Sequence, residues 1–102
     1  MAFGPILGSR VSQSVTDTAS GIGASNIPSA ANYAEGAVKT AAIVETREGT
    51  TATTAIGYPW NAGDMVFLRS RDEITQFSAI RSTSTSATID WQFFNQRPAG
   101  MR

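Results

Sequence analysis

The chain has no cysteine and no histidine. The first absence excludes a disulfide frame, thiolate-ligated zinc and a thiol nucleophile. The second excludes every mechanism that depends on imidazole as acid, base or ligand. Charge is scarce too: 16% of positions carry it, and eight basic residues balance eight acidic ones. The basic side chains are scattered from Arg10 to Arg102. Binding to phosphates needs clustered positive charge to displace counterions, so no nucleic-acid partner is expected. No apolar run approaches the roughly 18–20 residues of a membrane-spanning helix, and no membrane association is expected. The opening MAFGPILGSR holds a short apolar patch without a basic n-region, so no secretory leader is expected.

What the chain has instead is small side chains. Alanine, serine and threonine fill 15, 11 and 12 of the 102 positions. A chain of this length forms one domain. Small residues each bury little apolar area, at about 25 cal/mol per Å². Ordering the chain costs on the order of 100 kcal/mol of conformational entropy. That imbalance predicts stability supplemented by neighbours, as in a homo-oligomer, dimeric or trimeric. Low net charge does little to oppose such association.

Periodicity points to strands. ATIDWQFF (87–94) alternates cleanly, with Ile89, Trp91 and Phe93 on one face and Thr88, Asp90 and Gln92 on the other. MVFLRSR (65–71) and ITQFSAIR (74–81) alternate in the same way, and AVKTAAIVETR (37–47) does so between Gly36 and Gly49. RVSQSVTDT (10–18) is rich in β-branched residues, and EGTTATTAIG (48–57) reads as a turn and a short Thr-rich strand. Between them, residues 18–36 are loop-rich, with Ile22, Ile27 and Tyr33 as the candidate buried anchors. Short strands at intervals of about ten residues predict an all-β antiparallel sandwich, or a barrel-like variant, of about six to eight strands. The expected layout is an irregular N-terminal arm over 1–9, one domain over 10–96, and a tail over 97–102. Phe3, Ile6 and Leu7 are the arm's candidate contact residues, packing on the domain's own edge or on a neighbour.

The chemistry-bearing motifs are weak. GIGAS (21–25) lacks the Lys-Ser/Thr of a phosphate loop. Asp64 and Asp72-Glu73 fall where turns belong, and Asp90 lies on a strand face. Calcium loops need several closely spaced oxygen ligands, and none are so spaced here. No catalytic, cofactor or metal residues are assigned, and no enzyme activity is expected.

The aromatics remain. Trp91 alternates with Ile89 and Phe93 and reads as core. In IGYPWNAGDMVFL (56–68), Asn61-Ala62-Gly63-Asp64 reads as the turn that launches the strand at Met65. Pro59 keeps the segment before it out of a central ladder. Tyr58 and Trp60 then either cap the sandwich, meet another subunit, or form the stacking platform of a carbohydrate-binding module.

Residues 37–94 carry a pattern that resembles small β-sandwich virion proteins of tailed bacteriophages. Its elements are an Ala/Val-rich strand, Gly49-Thr50 with Thr53 and Gly57, and the Ala62-Gly63-Asp64 turn into an apolar strand. Two further strands follow, Phe77 to Ile80 and Ile89 to Phe94. The resemblance implies a capsid decoration or cement protein with the major capsid protein as partner. Such a protein is assembled in the host cytoplasm onto the capsid surface, without catalytic residues. A tail, neck or baseplate adaptor is the second reading that the resemblance allows.

Overall fold

The computed structural model describes residues 6–95. Phe3, the first five residues of the expected arm and the tail lie outside them. Among the described residues seven strands form in chain order: β1 Ile6–Val15, β2 Tyr33–Lys39, β3 Ile43–Thr46, β4 Tyr58–Trp60, β5 Met65–Leu68, β6 Ser78–Arg81 and β7 Ala87–Phe94. A short helix, α1 (Arg71–Gln76), joins β5 to β6. One sheet has the order β1-β7-β2-β5 and the other β4-β3-β6, with every pairing antiparallel. This is an all-β sandwich.

The alternation in β7 survives intact. Ala87, Ile89, Trp91 and Phe93 are buried, while Thr88, Asp90 and Gln92 are half-exposed on the other face. Val66 and Leu68 bury from β5 in the same manner. Trp91 lies at the centre, with Phe77 edge-on to it at 5.0 Å between ring centroids. Its indole N–H donates to Gln13 Oε1 at 2.8 Å, and Gln13 Nε2 donates to the Ser20 carbonyl at 3.1 Å. A buried indole and a buried amide thus satisfy each other. Ile22 and Ile27 are buried as anchors of the long connection, and Tyr33 is buried where β2 begins.

Several local expectations need correction. The first strand starts at Ile6, not Arg10, so residues 6–9 belong to the sheet. Ile6 and Leu7 face Phe94 and Phe93 in register, and Leu7 packs on the core. Gly8, at φ 71, lets the strand bulge between Leu7 and Val11 instead of ending there. The segment 37–47 is two strands in different sheets, turned at Thr40 with φ 81. Gly36 is interior to β2 and does not bound it, because a Cβ there would lie 2.6 Å from the Trp91 ring.

Residues 48–57 form no strand. They fold over β3, where Ala52 is buried and donates its N–H to Ser78 Oγ at 3.2 Å. Thr46 Oγ1 donates to the Thr50 carbonyl, and Thr53 Oγ1 accepts from Ile56 N–H at 3.0 Å. Threonine hydroxyls here take the backbone partners that a ladder would have used. Finally, β5 stops at Leu68 and residues 71–76 are helical. Ser70 caps α1 by accepting from Glu73 N–H at 3.1 Å, with Asp72 and Glu73 in the first turn.

Candidate functional site

The stretch 56–64 is built from the turn outward. Asp64 Oδ2 accepts from Asn61 N–H at 2.7 Å, and Asp64 N–H returns a bond to the Asn61 carbonyl at 3.0 Å. Gly63 supplies the φ of 97 that this closure requires. Its N–H donates to the Val38 carbonyl at 2.7 Å, which ties the turn to β2. Pro59 lies in β4, an edge strand, facing Val44.

Tyr58 and Trp60 flank Pro59 but do different things. Trp60 is half-buried against the core, and its indole N–H donates to Glu45 Oε2 at 3.0 Å. Tyr58 is 68% exposed, next to Ile56 at 63%. Between them Gly57 passes so close to β3 that a Cβ would meet the Glu45 carbonyl at 2.7 Å. A cleft of about 260 Å³ opens here, lined by Glu45, Thr46, Glu48, Ile56, Gly57 and Tyr58.

Beneath the cleft lies a charge network. The Glu45 carboxylate is fully buried; Arg47 Nη2 is 2.9 Å from its Oε2, and Arg47 Nε is 3.0 Å from the same oxygen. Arg47 Nη1 continues to the Phe67 carbonyl of β5 at 2.9 Å and to Glu73 Oε1 of α1 at 3.4 Å. Glu73 Oε1 also accepts from Arg69 N–H at 2.8 Å. One guanidinium therefore joins both sheets and the helix at the open side of the sandwich. Its planar fork of donors is what makes such a three-way contact possible.

Sequence reasoning singled out Tyr58 and Trp60, set Glu73 aside as a turn residue and missed Glu45 and Arg47. A signal existed: Ile43, Glu45 and Arg47 recur at every second position, so an apolar core residue and two charges share one strand face. Of the five nominated contact residues, Tyr58 and Trp60 flank Pro59 in β4. Leu7 lies in the β1–β7 pairing, the Ile6 backbone faces Phe94, and Phe3 falls outside the described residues. The acidic candidates are dispersed as well. Asp64 closes its turn, Asp72 sits in α1, and Asp90 pairs with Lys39 at 2.8 Å across the outer face. That hydrogen bond from Lys39 is the main reason the Asp90 carboxyl titrates below its ordinary range.

A second cleft, about 280 Å³, lies along Gly21–Ala24 beside Arg71 and Thr75. Arg71 Nη1 is occupied there by the carbonyls of Pro28 at 2.7 Å and Ala31 at 3.1 Å, a loop-anchoring role. No family model, curated protein or solved structure matches the chain.

Proposed function

We propose that the chain is a virion structural protein, a decoration or cement protein that binds the outside of a phage head and stabilises contacts between capsomers. The exposed apolar pair Ile56 and Tyr58 on an edge of the sandwich carries the reading. Side chains of this kind, left in water beside a fixed turn, form the sort of anchor that protein interfaces bury. The all-β fold agrees with the resemblance of residues 37–94 to such proteins. The major capsid protein is the proposed partner, with copies of this chain grouped as a dimer or trimer on the shell. Attachment through many weak sites becomes stable by avidity. A carbohydrate platform is less favoured, because the Trp60 indole is tied to Glu45 and leaves Tyr58 without a second ring.

The test mixes purified protein with heads, and separately with tails, built from structural proteins of the same genome. Wild type is expected to co-sediment with heads and to raise their disruption temperature. Ile56→Ser with Tyr58→Ser is expected to keep the fold and weaken binding by about tenfold or more. Sedimentation with tails alone moves the assignment to an adaptor, and sedimentation with neither overturns it. A glycan array bound by wild type would move it to a carbohydrate-binding module. Because residues 6–9 belong to β1, deletion tests of the arm should stop at residue 5.

A further inference from the structure

Two short sheets have four edge strands, and an open edge offers backbone donors and acceptors that another chain can extend. Here the edges are β1, β5, β4 and β6. On β6, Ala79 exchanges both backbone bonds with Ser20, at 2.9 and 3.0 Å, and Arg81 N–H reaches the Thr16 carbonyl at 2.9 Å. On β5, Arg47 Nη1 takes the Phe67 carbonyl. On β1, the bulge between Leu7 and Val11 interrupts the row.

For β4 the direction of each backbone group follows from alternation. Ala79 turns its groups out to Ser20, so Glu45 opposite it turns its own toward β4. Val44 then faces β6, and Pro59, its partner in β4, has nitrogen and carbonyl on the outer edge. That nitrogen carries no hydrogen. At Asn61, two residues on, the N–H is already held by Asp64 Oδ2 at 2.7 Å. An added strand reads alternate residues, so at 59 and 61 it finds no free donor.

We propose that the outer edge of β4 is a strand-addition site held shut by Pro59 and Asp64. Contacts on this side are then made by the side chains of Ile56 and Tyr58, and backbone pairing with a second copy is prevented. The closure has a clear object, because an open edge bordered by exposed Ile56 and Tyr58 could pair antiparallel with itself across a two-fold axis. The inference concerns contacts of the chain with itself and stands or falls independently of the virion reading.

Opening the edge tests it. Pro59→Val with Asp64→Ala restores a donor at 59 and frees the one at 61. Sedimentation velocity on the full chain is expected to show self-association strengthened by about tenfold or more over wild type. Amide exchange at 59 and 61 should slow as concentration rises. A folded double variant with wild-type association and fast exchange at 59 would overturn the proposal. Should the double variant fail to fold, Pro59→Val alone, with the Asn61–Asp64 turn intact, is read by the same exchange measurement and decides the matter.

Discussion

Arg47→Ala is expected to be far more damaging than removal of an ordinary surface arginine. The Arg47 side chain is 25% exposed, but the Glu45 carboxylate that it neutralises has no exposure at all. Truncation leaves that carboxylate with the Trp60 indole as its remaining side-chain donor among the described residues. It also removes the tie from β3 to Phe67 and Glu73. Breaking a buried pair from one side typically costs about 3–5 kcal/mol, because a charge stays buried without compensation. In a domain of this size each kcal/mol moves the melting temperature by roughly 4–8 °C, so a fall of at least about 12 °C is expected.

The companion variants separate charge burial from lost packing. Glu45→Gln keeps an oxygen for the Trp60 indole and is expected to cost less, about 1–3 kcal/mol. Glu45→Leu with Arg47→Met removes both charges and is expected to recover much of the Arg47→Ala loss, since apolar replacement of a buried pair is often near neutral. Urea denaturation of the wild type and the three variants compares these costs directly. An Arg47→Ala cost below about 1 kcal/mol, the range of exposed pairs, would refute the argument that the pair is energetically buried.

Other outcomes follow from single sites. Gly36→Ala should destabilise by about 1–3 kcal/mol or more in chemical denaturation, because the new methyl falls 2.6 Å from Trp91 and 2.7 Å from Ile89 Cγ2. The depressed Asp90 carboxyl adds stability above its unfolded-state pKa, and this is lost as pH falls through the lower folded value. In Lys39→Ala the Asp90 carboxyl resonance should titrate at higher pH than in wild type. Burial, then the nearby Glu35 charge, raises the Tyr33 phenol above its ordinary value. The unfolded chain therefore loses that proton first, and stability falls as pH rises past the ordinary phenol range. Ultraviolet titration of Tyr58→Phe, which leaves Tyr33 as the one phenol, checks the direction.

The parts of the fold legible in the sequence were those where one face meets the core and the other meets water. That is why β7 and the apolar face of β5 could be read from alternation alone. The readings failed where side chains compete for the backbone. Ser70 and Glu73 hold the pattern of a helix start, yet ITQFSAIR alternates well enough to suggest a strand, and the cap decides. The threonines of 48–57 have strand propensity, but the Thr53 hydroxyl accepts from the local amides of Ala55 and Ile56 and the segment becomes a cover for β3. At the site, Tyr58 and Trp60 were visible as large aromatics beside a proline. What divides them is Glu45, fifteen residues earlier, and a cross-strand pairing of that kind leaves no local trace.

The abundance of alanine and glycine also takes on another meaning once the packing is known. Ala34, Ala79 and Ala87 are buried, and Gly36 faces the ring of Trp91. Ala34 lies opposite Phe93 and Gly36 opposite Trp91 in the β2–β7 register, and the alanines share one core cluster with Trp91, Phe77 and Phe93, the largest fully buried side chains. A large ring fills its space only where the facing position is small, so the two kinds are complements in one packed layer. Among the described residues, no buried side-chain nitrogen or oxygen lacks a partner. A thin core is therefore a poor reason to expect a neighbour. The stronger reason lies outside the core, at Ile56 and Tyr58, where apolar area stays in water beside an edge whose backbone is denied to other strands. A partner that buries those two side chains gains apolar contact without having to extend the sheet.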